Sequence, residues 1–249
     1  MERRTTSTLW SLRPAGEHAA LRRVAQGAGF RLRVLPVQRL VVHGDASGLA
    51  AALAAPIRLY TSPAAVRFAA RRVGGDLRRE GLDLAVGAGT AAALRRTGVA
   101  APRSPSRMDS EGVLAMQEWD AGGTVGLVTA PGGRGLLVPA LRGRGIDVRV
   151  AEVYRRAPTT GGARRFAAFA ADAGAVLVAS SAEAMALLQA RLPAAASPRG
   201  RELRRRPVVV SSARLAAQAA SAGFSLVLVA EGPTPAALVA AASRAPTVQ

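Results

Sequence analysis

Short apolar runs alternate with longer segments of helical period along the whole chain. TLWSL (8–12), IRLY (57–60), LDLAVG (82–87), TVGLVTA (124–130), GAVLVAS (174–180), RPVVVSS (206–212) and FSLVLVA (224–230) are nearly continuous in apolar or small residues. Runs of this length without polar alternation predict strands covered on both faces. Between them lie segments such as AGEHAALRRVAQGAG (15–29), whose apolar positions share one helical face and whose Gly29 suits a C-terminal cap. Strand followed by helix, repeated, predicts parallel sheets with helices on both faces. Ligands of such sheets bind beyond the carboxyl ends of the strands.

The pattern also repeats. AGFRLRVLPVQR (28–39) and RGIDVRVAEVYRR (144–156) align at one constant offset, placing Gly29 on Gly145, Phe30 on Ile146, Leu32 on Val148, Val34 on Val150 and Gln38 on Tyr154. Each follows a helix and is long for a single strand. A second echo joins YTSPAAVRF (60–68) to VASSAEAMAL (178–187), where a strand ends in small hydroxyl residues able to cap the next helix. The expectation is an α/β fold of two similar parallel-sheet domains joined by a two-stranded connector. The alternative is one continuous doubly wound sheet of seven or more strands.

Composition changes this picture little and the chemistry more. The chain has 249 residues, 49% of them hydrophobic, enough for substantial cores. No stretch approaches the ~18 consecutive apolar residues of a membrane span, and the arginine-bearing N-terminus lacks the apolar core of a signal peptide, so a cytoplasmic protein without membrane contact is expected. Cysteine is absent, which excludes disulfides, thiol nucleophiles and thiolate metal sites; His18 and His43 are too few for a histidine cluster. No metal is expected, and both histidines read as surface or hinge residues. The net charge of +18 suggests nucleic acid. Against that, every one of the 34 basic residues is arginine, spread over many helices, in a chain rich in Ala, Gly and Pro; a coding bias produces this without any selection for DNA. Aromatics, at 4%, are too sparse for base stacking.

Candidate chemistry concentrates where strands meet helices. VTAPGGRGLL (128–137) runs a strand through a glycine-rich turn into a helix, an anion-binding geometry, but its spacing matches no nucleotide motif. Ser62 and Ser180 follow strands without a nucleophile-elbow motif, and helix capping accounts for both. GAGTAAAL (87–94) puts Thr90 at a helix start, as a cap or beside N–H groups able to hold a carboxylate. Tyr154, one of two tyrosines, stands at the end of a long connector.

The ordered set SLRPAGEHAAL (11–21), YTSPAAVRF (60–68), AVGAGTAAALRRTGV (85–99), RMDSEGVLAM (107–116), TAPGGRGLLVPALRGRGIDV (129–148), EVYRRAP (152–158), VLVASSAEAMALL (176–188) and VVVSSARLAAQAASAGF (208–224) resembles the uroporphyrinogen-III synthase family over nearly the whole chain. Each piece is a common junction; their order and spacing carry the resemblance. It implies a discontinuous first domain, 1–38 with 155–249, and an inserted domain, 39–154. It further implies cyclisation of hydroxymethylbilane, a linear tetrapyrrole with eight carboxylates, with loss of water and inversion of ring D, in the cleft between domains, by a monomer without cofactor. The implied partners are that substrate and hydroxymethylbilane synthase as its upstream donor, with no nucleic acid and no membrane.

Among site residues, the resemblance makes Tyr154 the proton donor and Thr90 a polar orienting contact. Gly133 and Arg134 belong to the turn that receives a substrate carboxylate. Arg13 matches the arginine of a first-strand motif whose threonine is replaced here by Leu12. Ser62, Ser180, Ser181 and Ser211 complete the substrate-binding set, with a weaker match at Ser212. Two other classes remain open on the residues alone: a non-catalytic two-domain binding protein or regulator for an anionic metabolite, and a basic nucleic-acid binder.

Overall fold

A computed structural model of the chain describes residues 8–120, 122–132, 135–160 and 162–246. In chain order the elements are β1 (Thr8–Ser11), α1 (Ala19–Gly27), β2 (Arg31–Val34), β3 (Gln38–Val42), α2 (Ala46–Leu53), β4 (Ile57–Tyr60), α3 (Pro63–Arg72), β5 (Leu82–Ala85), α4 (Ala88–Arg95) and α5 (Ser110–Leu114). There follow β6 (Thr124–Thr129), α6 (Leu137–Arg142), β7 (Asp147–Glu152), β8 (Tyr154–Pro158), α7 (Ala163–Ala171), β9 (Ala175–Ala179), α8 (Ala182–Gln189), α9 (Pro198–Arg204), β10 (Val208–Val210), α10 (Ala213–Ser221), β11 (Val227–Val229) and α11 (Pro235–Ala242). The chain divides into two compact units: unit 1 comprises Met1–Leu40 with Arg156–Gln249, and unit 2 comprises Val41–Arg155.

Unit 1 is built on a five-stranded sheet in the order β11-β10-β9-β1-β2, every neighbouring pair parallel. Its strands have two apolar faces. Trp10, Leu177, Val208 and Val210 point into one cluster with Phe169 and Leu215. Leu9, Val176, Val178 and Val209 point into another with Leu21 and Leu238. This is why the strands read as unbroken apolar runs: successive residues alternate between faces, and both faces are covered by helices. At the first cluster's edge Trp10 Nε1 donates to Asp172 Oδ2 at 2.8 Å.

Unit 2 carries a four-stranded parallel sheet in the order β5-β4-β6-β7. Leu59, Leu84, Val125 and Leu127 pack with Trp119, Leu137 and Leu141 on one face. On β6, Gly126 has no alternative: a Cβ there would stand 1.8 Å from the Ala52 carbonyl oxygen of α2. The helix rests on bare backbone at that point, and any side chain would push it away.

The two long extended segments are each two strands, not one. After β2, Leu35 N–H still bonds Ser11 O at 3.0 Å, but Pro36 has no N–H to offer and Val37 N–H turns back to Leu35 O at 3.0 Å. The chain then leaves the parallel sheet as β3. In the second segment Val153 N–H completes the β6 ladder on Thr129 O, while its carbonyl accepts from His43 N–H at 3.2 Å. Thr159 N–H likewise donates to Val37 O at 3.1 Å, so β3 and β8, the two members of a separate sheet, run in opposite directions.

Candidate active site

Two adjacent parallel strands of unit 2, β4 and β6, deliver hydroxyl groups to one end of its sheet. β4 ends at Tyr60 and is followed by Thr61 and Ser62; the adjacent β6 ends at Thr129, and Thr61 Oγ1 donates to Thr129 Oγ1 at 2.9 Å. Ser62 has an extended backbone and caps α3, its Oγ accepting from Ala65 N–H at 3.1 Å, with Pro63 at the first helical position. Accepting that bond leaves the serine proton unspent. The hydroxyl of Tyr154, the first residue of β8, lies 3.1 Å from Ser62 Oγ, and either oxygen can donate. The tyrosine ring stacks on Phe68 of α3, with centroids 5.3 Å apart and planes at 27°. Tyr154 is 3% exposed.

Thr90 sits elsewhere than a cap. The N-cap of α4 is Gly87, which has no side chain to supply, and Thr90 is the third residue of the helix, buried, its N–H on Gly87 O at 2.9 Å. The first N–H of that helix, Ala88, meets the thioether of Met108 at 3.4 Å, a weak acceptor on a residue that is itself exposed. Gly133 and Arg134 lie outside the described residues.

The remaining candidates belong to unit 1. Arg13 donates through Nη2 to Pro233 O at 2.8 Å, tying the exit of β1 to the loop after β11. Burial lowers its pKa, with Glu17 opposing. Ser181 caps α8 through Ala184 N–H and Ser212 caps α10 through Leu215 N–H, both at 3.3 Å. Ser180 and Ser211 are the partly exposed residues immediately before those caps. The structure therefore joins Tyr154 to Ser62 directly and gives the serine before each of α3, α8 and α10 the same capping task. Thr61 and Thr129 escape the sequence reading, although both lie in quoted junctions; the missing information is that β4 and β6 are neighbours.

His18 corrects the sequence expectation outright. It is 6% exposed, at the N-cap position of α1, not a surface residue. His43 does lie partly exposed, with Nε2 3.4 Å from Glu152 Oε2. Among the described residues no group of three or more metal-ligating side chains comes together, and no helix is long and apolar enough to cross a membrane.

The family described as uroporphyrinogen-III synthase HemD matches residues 19–240. Among solved structures, a mutant uroporphyrinogen III synthase from the extremely thermophilic bacterium Thermus thermophilus matches 96% of this chain and 98% of its own, with TM-score 0.52 and 21% identity. The uroporphyrinogen-III synthetase of Helicobacter pylori also matches over 96% and 98%, with TM-score 0.55 and 13% identity. At such identities these structures speak for the fold alone. No curated protein matches by sequence. The family match spans both parallel-sheet units, and on that ground the chain belongs to the uroporphyrinogen-III synthase HemD family of cyclising lyases.

Proposed function

We propose that this protein converts hydroxymethylbilane into uroporphyrinogen III, taking the unstable linear tetrapyrrole from hydroxymethylbilane synthase in the cytoplasm. The family match over residues 19–240 carries this reading. In the reaction the terminal hydroxyl leaves as water, and the resulting azafulvenium cation is attacked by the substituted carbon of the last ring. The spiro intermediate reopens with that ring inverted, and the macrocycle closes with loss of a proton. The cation is reactive by itself, so most of the protein's contribution is positioning, a class of effect worth ~7–11 kcal/mol. A net charge of +18 favours capture of a substrate with eight carboxylates. At α4, a substrate carboxylate is a far better acceptor for Ala88 N–H than the Met108 thioether.

Tyr154 supplies the proton to the departing hydroxyl. Ser62 accepts one bond from Ala65 N–H, so its own proton can turn to the tyrosine oxygen. That frees the phenolic proton for the substrate and leaves a donor in place for the negative charge developing on the ring oxygen.

Incubation with freshly made hydroxymethylbilane, scoring isomer III against the isomer I that forms spontaneously, tests the activity; an unchanged isomer ratio defeats it. Tyr154→Phe keeps the ring on Phe68 and removes the hydroxyl. A roughly 10²-fold loss of kcat with KM nearly unchanged is expected. Full turnover in a folded Phe variant would leave Tyr154 a packing residue.

A further inference from the structure

We propose that a recess beside His18 in unit 1 binds a small oxyanion, phosphate or carboxylate, and takes up a proton on doing so. The recess has a volume of 760 Å³ and lies along one side of α1, lined by His18, Arg22 and Arg23 of that segment, Val34 at the end of β2 and Arg165 of α7. His18 lines it, and both of its ring nitrogens are buried without hydrogen-bond partners among the described residues. An imidazole buried this completely is ordinarily satisfied by protein or water, because each unmade bond costs ~1–3 kcal/mol. Here no protein group among the described residues reaches hydrogen-bond geometry with it.

The surroundings select the ligand's charge. Burial first, then the charges of Arg13 and Arg22 and, more weakly, Arg165, hold His18 at a pKa of about 4; the Arg13 carbonyl pulls modestly the other way without reaching hydrogen-bond geometry. Glu17, the acid beside it in sequence, acts on Arg13. One guanidinium N–H of Arg22 is taken by Leu32 O at 3.2 Å. Arg23 and Arg165 make no ion pair among the described residues. A cation would meet an unopposed positive field, and an apolar molecule would leave the imidazole unpaired. An oxyanion answers both: it accepts from the arginines and from the imidazole N–H, and α1 presents its uncapped N-terminus at the same place. By cancelling the arginine field it also raises the histidine's proton affinity. Anion and proton then bind cooperatively, and affinity rises as pH falls towards the free-state value of about 4.

The chain has only two histidines, so proton NMR of the intact protein resolves His18 against His43 as an internal control. Titration of His18 is followed with inorganic phosphate, with citrate, and with chloride at equal ionic strength. At least one oxyanion is expected to raise the His18 pKa by about one unit, a tenfold mutual strengthening of proton and anion. Phosphate acting alone identifies a phosphate site, citrate acting alone a polycarboxylate site. Arg23→Ala and Arg165→Ala alter exposed residues, which spares the fold, and each is expected to weaken the effect about tenfold. A His18 resonance indifferent to both oxyanions, or equally responsive in the double Arg23→Ala/Arg165→Ala variant, overturns the proposal. Neither result depends on tetrapyrrole turnover, so the proposed activity stands or falls separately.

Discussion

The sheets of the two units share an order, β10-β9-β1-β2 in one and β5-β4-β6-β7 in the other, yet treat the same inner position in opposite ways. In unit 1, Leu177 of β9 faces Val208 of β10, both fully buried. In unit 2 the matching neighbours are Arg58 of β4 and Asp83 of β5, 1% and 5% exposed, joined at 2.7 Å and 3.0 Å in a two-pronged ion pair. Arg58 also donates to Ala55 O at 3.0 Å and Glu80 O at 2.7 Å. Burial works against its charge, but Asp83 more than compensates and its pKa is raised. The buried arginines of unit 1, Arg204 and Arg206, rely mainly on carbonyl oxygens: Ala222, Pro193 and Gly200 for the first, Phe169 and Ala170 for the second. Burial lowers the pKa of Arg206. Backbone acceptors cannot be removed by substitution, whereas Asp83 can. One unit has a single point of electrostatic failure and the other does not.

The largest expected effect follows from that asymmetry. Asp83→Ala strands a buried guanidinium and is expected to cost about 3–5 kcal/mol, read as faster amide exchange in Val41–Arg155 than in unit 1. The double variant Arg58→Leu/Asp83→Val, which imports the arrangement of Leu177 and Val208, is expected to recover most of the loss. Equal destabilisation by single and double variants would mean that the carbonyl contacts of Arg58 matter more than its carboxylate.

A smaller effect separates the units by pH. His18 has a folded pKa of about 4, below its ordinary 6.5, so the unfolded chain takes the proton first. Stability from this residue is complete above about pH 6.5 and drains away as pH falls towards 4, by up to about 3 kcal/mol. Chemical denaturation in the absence of oxyanions at pH 7 and pH 4.5 measures it, and His18→Gln is expected to flatten the difference.

The smallest effects compare like with like. Ser62→Ala and Ser181→Ala each delete a helix cap and are expected to cost about 1 kcal/mol. Only Ser62→Ala is expected to slow turnover as well, since Ser181 has no tyrosine above it. The repeat aligns Tyr154 with Gln38, whose Oε1 is buried without a partner, so the hydroxyl pair exists in unit 2 alone. Equal turnover in both variants would remove Ser62 from the proton path.

Much of this is legible along the chain. IRLY reads as a strand despite its arginine because Leu59 and Tyr60 are both fully buried, and Ile57–Tyr60 is the observed β4. The serine caps are legible because capping is local. The long extended segments read as too long for a single strand, but where each divides is hidden, because the last parallel-sheet bonds, Leu35 to Ser11 and Val153 to Thr129, go to distant partners that periodicity cannot reveal. Tyr154 and Ser62 stand out in the sequence for separate reasons; their contact depends on β8 lying over the start of α3. His18 reads as a surface residue because its immediate neighbours Ala15, Gly16, Ala19 and Ala20 are exposed, while what buries it comes from elsewhere in unit 1.

The position of β1 sets an order of events during synthesis. Trp10 pairs with Leu177, so the central ladder of unit 1 cannot close until nearly three quarters of the chain has left the ribosome. The ladders of the four-stranded sheet of unit 2 all lie between Ile57 and Glu152. Closing the longer loop adds only fractions of a kcal/mol in entropy, so the delay is imposed by translation more than by thermodynamics. Meanwhile Leu9 and Trp10 wait exposed, with β2 their only neighbour. Nascent chains stalled once Arg155 has emerged from the ribosome are expected to show protease-resistant unit 2 and a degradable N-terminal segment; simultaneous protection of both would require β1 to find a shelter other than β9.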